Sequence, residues 1–401
     1  MAKIVVKGQP KKSAGIWIYI AVIILSAMFI YFGNQLASAN FDAFDQESQT
    51  IAEKALVIDI LDVFEQTESI GEGATVIVKD ITFKAEIMSG ELKGSVVEGV
   101  QNFNSYFKTA SKEVEIGDKV ILYQISESED TDIWLFGEYS RTDALIVLGV
   151  IFMVLLILLG NLKGLQTLLS ITFTILAVFF VFIPAILSGY NIYLWTVIIC
   201  LFVTLMSLTI VSGVNQKTLA AAIGCTSGIA LSAVLVLVMD RFLMLTGVVD
   251  EDSIYLLLMT PDHPINLKGI VFGAIVIGAM GALLDVSMSI SAALYEIKEK
   301  YAANTFKQIF SSGMTIGRDT IGTMANTLVL AYIGSSLSIV LLLIAYNPNM
   351  LDLLNKEMVV VEILQAIIGS LGILLTVPLT SLASGILFAK SVDKNRFKNR
   401  I

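Results

Sequence analysis

Cysteine, histidine and charge are all scarce in this chain of 401 residues, and each scarcity excludes a class of protein. The two cysteines, Cys200 and Cys225, both lie inside apolar runs, which argues against a disulfide framework and against redox chemistry. The single histidine, His263, excludes a histidine-rich metal site, and no ligand-spaced carboxylate cluster predicts a site for a hard cation. We therefore expect neither a metal nor a cofactor.

Charged residues make up only 15% of the chain and hydrophobic residues 56%, a balance that a water-soluble domain could not keep in solution. The motifs of soluble enzymes are also missing: there is no P-loop, no dinucleotide-binding glycine motif, no HExxH and no nucleophile elbow. No basic stripe interleaved with aromatic residues predicts nucleic acid as a partner. The sequence therefore predicts an integral membrane protein that is not an enzyme and has no catalytic residues, with the lipid bilayer as its first partner.

Eight apolar runs are long enough to cross the hydrocarbon core of a bilayer as helices. The last run contains Pro378 and is too long for a simple span, so it is expected to kink or to continue as a broken helix. The eight predicted spans are Ile16–Leu36, Ala144–Leu159, Leu165–Leu187, Ile192–Val211, Thr218–Leu243, Ile270–Ala293, Ile321–Ala345 and Val359–Ala389.

Lysine and arginine cluster in the segments that eight spans would place on one side, which the positive-inside rule makes cytoplasmic. Both termini are then predicted to be cytoplasmic. A competing interpretation is a cleavable signal peptide ending near Ala37-Ser38-Ala39, which would leave seven spans. The basic residues in question are Lys3, Lys7, Lys11, Lys12, Lys163, Lys217, Lys298, Lys300, Lys307, Lys390, Lys394, Arg396, Lys398 and Arg400.

Residues 38–140 differ from the rest of the chain, because they hold 21 acidic and 7 basic residues. Their β-branched stretches are separated by glycine-bearing turns, the pattern of a small antiparallel barrel or sandwich. We therefore predict an α-helical membrane bundle of about eight transmembrane helices with a small β-rich extracytoplasmic domain inserted after the first helix. The predicted domains are 1–37 (cytoplasmic tail and first helix), 38–140 (β-rich domain) and 141–401 (seven-helix membrane domain).

Polar residues interrupt two of the late apolar runs at helical spacing. Asp285, Ser289 and Glu296 share one face of the sixth span. Asp319, Thr323 and Asn326 share a face of the seventh, beside Arg318. In the last span, Thr376, Thr380, Ser381 and Ser384 concentrate hydroxyls around Pro378, and Gly278, Gly281 and Gly322 are predicted to allow close helix packing.

An unpaired charge at bilayer depth costs about 2.5–3.5 kcal/mol, so these charges are expected to face protein or water. Two facing polar stripes could build a proton or ion path. Each element also has a structural interpretation: Glu296 as a carboxylate at the membrane interface, Arg318 with Asp319 as a pair at a helix entry, and Asp285 as a buried partner that only fixes packing.

Three segments carry a family resemblance: GALLDVSMSISAALYEI, GRDTIGTMANTLVLAYIG, and YSRTDALIVLGVIF after the β-rich domain. Through them the chain resembles the YibE/YibF-like family of membrane proteins, in its longer, YibE-type form. The resemblance implies a multi-pass protein of the bacterial inner membrane and implies no activity. A weaker similarity, to half of a SecD/SecF or resistance-nodulation-division transporter, departs in span count, with seven after the domain instead of five.

Two functions remain open. The first is a secondary transporter or permease in which Asp285 takes up a proton or monovalent cation coupled to an unknown small solute, while Arg318 and Asp319 gate the path. The second is a non-transporting envelope factor whose extracytoplasmic β-domain binds a partner protein or peptide. An intramembrane hydrolase has little support.

Overall fold

The computed structural model describes residues 12–39, 52–69, 75–104, 112–128, 131–259, 265–300, 305–346 and 349–389. It divides into two compact units, one of residues Ala43–Leu155 and one of Met1–Asp42 together with Leu156–Ile401. His263 and the basic residues at 3–11 and 390–400, on which part of the topology prediction rests, lie outside the described residues.

The first unit contains a closed five-stranded barrel, so the predicted β-rich domain is confirmed, and of the two architectures predicted for it, barrel or sandwich, it has the barrel. The strands follow one another around the barrel in the order β1-β2-β3-β5-β4, which contains the β4-β1-β2-β3 arrangement of a Greek key. Among the described strands, β3 and β5 alone pair in parallel. This is the architecture of OB-type barrels. The strands are β1 Ala52–Ser69, β2 Thr75–Ile87, β3 Val96–Asn104, β4 Lys119–Ser128 and β5 Thr131–Tyr139.

Alternating side chains of the strands fill the barrel, because successive residues of a strand point to opposite faces. Val57, Phe83, Leu122 and Trp134 are among those that are almost fully buried. A buried side-chain amide satisfies one backbone group in the barrel: Gln101 Oε1 accepts a hydrogen bond from the backbone N–H of Val114 at 2.8 Å.

Tyr139 closes the same side of the barrel, and its hydroxyl donates to the backbone carbonyl of Lys112 at 2.7 Å. Burial raises the pKa of Tyr139, because a phenolate loses hydration there. The Lys112 ammonium donates to Asp118 at 3.0 Å, and this hydrogen bond raises the pKa of Lys112. Tyr139 and Lys112, whose pKa values are raised, both lie at the surface of the barrel.

The second unit is helical. In the described part of the chain, six helical segments are long and apolar enough to cross a membrane, and one of them is the segment that begins with α2. The membrane class predicted from composition is therefore confirmed. The helices are α1 Lys12–Ala37, α2 Thr142–Ala177, α3 Ile183–Leu187, α4 Ile192–Ser212, α5 Gln216–Leu243, α6 Glu251–Met259, α7 Leu267–Lys300, α8 Phe306–Ser335, α9 Leu337–Tyr346, α10 Met350–Asn355 and α11 Glu357–Phe388.

The predicted count of about eight spans is not confirmed. Two predicted spans fall on the single helical segment Thr142–Leu187, which is interrupted by non-helical backbone at Asn161 (φ 50°, ψ −131°) and by a π-helical turn at Val178–Phe182. The predicted span Ile321–Ala345 is divided at Ser336 between α8 and α9. The helix α8 is too polar to count among the six candidates.

The helices α5, α7 and α11 pack together at the centre of this unit, with α8 against α11 and α4 against α7. Leu283, Ile290 and Leu294 of α7 are fully buried in the shared core. The helices α5 and α11 run antiparallel, since Gly224 lies against Thr380 while Gly372 lies against Ser232. Glu357, at the start of α11, accepts hydrogen bonds from Thr246 and Gly247 after α5, which joins the two helices at one end.

Candidate functional site

The outward face of α7 carries small and polar residues along its length. The inward face is apolar and buried, with Leu283, Val286 and Ile290 in the core. Asp285, Ser289 and Glu296 are exposed on the opposite side, in line with Gly278 and Gly281. The predicted stripe therefore exists, but Asp285 does not face the interior of this chain.

Asp285 is near the middle of α7, about 16 Å along the helix from Glu296. Among the described residues it has no hydrogen-bond or ion-pair partner, so none of the described basic side chains neutralises it there. A charge at this position needs water or another protein group.

The helix α8 presents a second polar face. Its N-terminus is closed by a capping box, in which Thr305 and Gln308 satisfy each other's backbone N–H groups. Its apolar side lies on α11, with Gly313 and Gly317 buried there. The predicted residues of its polar side, Arg318, Asp319, Thr323 and Asn326, are all exposed.

Two contacts establish that α7 and α8 run antiparallel and set their register. Near one end, a Cβ at Gly313 would lie 3.0 Å from Leu294, and near the other, a Cβ at Gly278 would lie 3.0 Å from the Tyr332 hydroxyl. Interpolating between these contacts places Asp285 at about the depth of Thr323, and Ser289 at about the depth of Asp319. The two polar stripes therefore occupy the same depth. We call the exposed sides of α7 and α8 the α7–α8 polar face.

A polar cavity of about 600 Å³ lies at one end of this face, where α7 ends and α8 begins. Its lining includes the hydroxyl residues Ser311, Ser312 and Thr315. Thr315 and Arg318 are three residues apart and therefore adjacent on α8. Arg318 and Asp319 therefore lie within about one helical turn of the cavity lining.

The predicted site residues of the last helix lie elsewhere. Ser381 is fully buried against Gly313 of α8, and its hydroxyl donates to the carbonyl of Val377 at 2.7 Å. Ser384 is fully buried and its hydroxyl has no partner among the described atoms. The structure therefore does not bring these two serines together with Asp285.

Ser384 instead belongs to a column of buried hydroxyls between α5 and α11. Thr376, Thr380 and Ser384 recur every fourth residue of α11, and Ser232 of α5 completes the column. None of these four hydroxyls has a hydrogen-bond partner among the described atoms. Two of them lie against glycines of α5, Thr376 at Gly228 and Thr380 at Gly224, which leaves no room for a ligand.

A hydroxyl oxygen against a glycine Cα–H is a weak polar contact that recurs at helix–helix interfaces. The column of hydroxyls therefore serves the close packing of α5 against α11. Sequence reasoning noted the hydroxyls of α11 but missed Gly224, Gly228 and Ser232, although their i, i+4 spacing with Ala220 is a readable signal.

The glycines predicted to allow close packing differ among themselves. Gly278 does meet neighbours, the Tyr332 hydroxyl and Gln365 Nε2. Among the described residues, none comes within 4 Å of a Cβ built at Gly281 or Gly322. Both positions are exposed on the α7–α8 polar face.

The described part of the chain contains no candidate metal site, because no three or more of its histidine, cysteine, aspartate or glutamate residues are grouped so that they could hold an ion. Cys200 and Cys225 are free thiols, and both are buried.

Six helical segments in the described part of the chain are long and apolar enough to cross a membrane, which indicates a membrane protein, and the chain also contains a β-barrel. The chain belongs to the YibE/F-like protein family, whose model matches residues 148–390. This match confirms the resemblance seen in the sequence. It covers α2 from its second turn through α11 and leaves the barrel outside. No curated protein and no solved structure matches the chain significantly.

Proposed function

We propose that this protein is a secondary transporter whose ion path follows the α7–α8 polar face. In the proposal, Asp285 takes up a proton or a monovalent cation, and Arg318 and Asp319 control access from the polar cavity. A small solute of unknown identity moves with the ion or against it. The observation that carries the proposal is an exposed aspartate in the middle of an apolar helix. It has no hydrogen-bond or ion-pair partner among the described residues and is level with polar residues of α8.

The physical argument rests on the cost of leaving Asp285 in hydrocarbon. A charged aspartate at the helix centre costs about 2.5–3.5 kcal/mol on the lenient insertion scale, and protonation or a bound cation removes that charge. Coupling of solute transport to an ion requires a group of this kind, whose charge is neutralised when the transported ion binds. The hydroxyl oxygens of Ser289 and Thr323 lie within about one turn of Asp285, where they can hydrogen-bond water or coordinate a partly dehydrated cation.

The proposed topology has eight spans, with both termini in the cytoplasm of a bacterium, the chain in the inner membrane and the barrel outside. The segment Thr142–Leu187 is about 69 Å long at 1.5 Å per residue, roughly twice the 30 Å hydrocarbon core. Two crossings with a turn near Asn161, next to Lys163, account for that length. The helices α8 and α9 would form a further broken span, in which irregular backbone is tolerated where it is covered by protein.

The test is the variant Asp285→Asn, which keeps the hydrogen-bonding shape and removes the charge. Purified wild-type protein in vesicles is expected to carry protons or sodium ions down an imposed gradient, measured with a trapped dye, and Asp285→Asn is expected to abolish that flux. Infrared difference spectra on acidification should show a carboxyl band in the wild type that is missing from Asp285→Asn. Ser289→Ala is the matched control, with flux reduced but the infrared band retained.

Melting temperatures separate this role from a purely structural one. If Asp285 only fixes packing, Asp285→Asn should be depleted from membranes or melt early, whereas the transport role predicts near-normal stability. A stable Asp285→Asn protein with unchanged ion flux and an unchanged infrared spectrum contradicts the proposal.

A second candidate function is the anchored envelope factor, and the barrel supplies the observation that favours it. Leu61 and Phe64 of β1 and Ile77 of β2 are exposed apolar side chains on one hairpin. A photo-crosslinking residue at Phe64 is expected to capture a partner protein in this case. Position Ile116, also exposed on the barrel, is the control. Capture at Phe64 that persists in Asp285→Asn, combined with no ion flux in the wild type, would favour this function over transport.

A further inference from the structure

The exposed stripe of α7 differs from the exposed stripes of the other apolar helices. On α4 the outward residues include Leu194, Leu201 and Leu205, and on α11 they include Ile363 and Ile386, all large aliphatic side chains suited to lipid. The corresponding stripe of α7 consists of glycine, alanine, serine and acidic residues. Lipid chains are therefore a poor occupant of the face around Asp285.

The α7–α8 polar face also carries charges of both signs. Asp285 on α7 and Arg318 on α8 are exposed, and neither has an ion-pair partner among the described residues. The face thus offers an acid and a base that this chain does not join to each other. A surface with unpaired charges of both signs can complement an identical surface, because a twofold axis brings residue i of one copy to residue j of the other and the reverse.

We propose that a second copy of this chain covers the α7–α8 polar face, with Asp285 of each copy paired to Arg318 of the other. The inference rests on the proposed function, because it completes the same site: the ion path would lie between two copies. The occupant is a second copy because one set of residues supplies both halves of the charge complementarity.

The depth of the two residues is compatible with this pairing. Asp285 lies at about the depth of Thr323, and Arg318 is five residues from Thr323, about 7.5 Å along α8. A twofold axis along the membrane normal preserves depth, so Arg318 of the second copy has that distance to bridge. The long arginine side chain can span it, and its planar guanidinium can bind a carboxylate with two hydrogen bonds.

Small residues on α7 make the approach of a second helix possible. Gly281 lies one turn from Asp285 on the same side, and a Cβ there would have open space within this chain. In the proposed pair, that space is taken by the second copy. Contact with a second copy would therefore account both for the space beside Gly281 and for the lack of an ion-pair partner for Asp285 among the described residues.

Cysteine crosslinking of the full chain in membranes tests the contact. Ser289→Cys is close in size to the native residue and lies one turn from Asp285, so a short bifunctional maleimide should yield a covalent dimer. Leu201→Cys, on the outward stripe of α4, is the matched control and should stay monomeric. The wild type should also stay monomeric, because Cys200 and Cys225 are buried.

Charge reversal tests the pairing itself. In the Ser289→Cys background, Asp285→Arg alone and Arg318→Asp alone should each lower the dimer yield at least tenfold, and the double reversal should restore it. Absence of the dimer, a crosslink to a protein of different mass, or failure of the double reversal would overturn the inference. Dimers without ion flux would contradict the proposed function alone, whereas flux from a protein that never crosslinks would contradict this inference alone.

Discussion

The contact between Gly228 of α5 and Thr376 of α11 permits a sharp test of the helix packing. A Cβ added at Gly228 would collide with the Thr376 hydroxyl and would lie 3.2 Å from Leu283. The Thr376 hydroxyl has no hydrogen-bond partner among the described atoms, and the residue is fully buried. The collision is therefore with an atom whose removal leaves no buried donor or acceptor stranded.

Gly228→Ala should destabilise the helical unit. Overpacking a well-packed core costs about 1–3 kcal/mol, while alanine gains up to about 1 kcal/mol over glycine in a helix interior. The expected net loss is therefore up to about 2 kcal/mol. For a unit of this size, each kcal/mol lowers the melting temperature by about 2–4 °C.

Thr376→Ala in the same chain should recover most of that loss, because it removes the colliding hydroxyl. Thr376→Val is the matched control: it keeps the volume of the side chain and should not rescue Gly228→Ala. Alone, Thr376→Val should be neutral or stabilising, because it replaces an unsatisfied buried hydroxyl with a methyl group.

Melting of the purified protein in detergent, followed for Gly228→Ala, Thr376→Ala and Thr376→Val alone and for the two double variants, gives a double-mutant cycle for the pair. Gly334→Ala is the background control, since no described atom lies within 4 Å of a Cβ there. Absence of coupling between Gly228→Ala and Thr376→Ala, or equal rescue by alanine and valine at position 376, would refute the argued packing of α5 on α11.

Three further predictions concern other parts of the molecule. Reporter fusions should be outside after Ser140 and cytoplasmic at Lys300, and an outside signal at Lys300 would overturn the eight-span topology. Gln101→Leu should cost the barrel about 1–3 kcal/mol, because the backbone N–H that it satisfies is left buried and unpaired, and thermal melting followed by tryptophan fluorescence should report the loss. Burial raises the pKa of Tyr139, so folding favours its neutral phenol. The contribution of this phenol to stability is therefore fully present below the ordinary pKa of 10.0 and is lost as the pH rises through the pKa of the folded state. Tyr139→Phe should melt with a weaker dependence on pH in that range.

The membrane class and the small β-rich domain were predictable from local pattern, although the choice between barrel and sandwich was not. Apolar runs of bilayer length require helices, because the backbone must satisfy its own hydrogen bonds in lipid. β-branched stretches with glycine turns require strands, and about a hundred residues suffice for one small core. The family, too, was recognisable from short motifs of α7 and α8.

The segmentation of the helices was less predictable. Hydropathy cannot distinguish two spans from one kinked segment, and the irregular backbone at Asn161 lies between two runs of similar composition. The break at Ser336 is equally invisible to a sliding average, because both sides of it are apolar. The order of the strands around the barrel is a non-local property, decided by the pairing of β1 with β4 and of β3 with β5.

The sequence by itself determined which residues share a face: the stripe of Asp285 and Ser289, the stripe of Asp319 and Thr323, and the hydroxyls of α11. Only the tertiary structure decided what each face meets. Helical spacing is a property of one helix, whereas burial depends on the neighbours that surround it. Packing of α5 and α8 on α11 therefore encloses Ser384 and Ser381, while the same kind of stripe on α7 points outward.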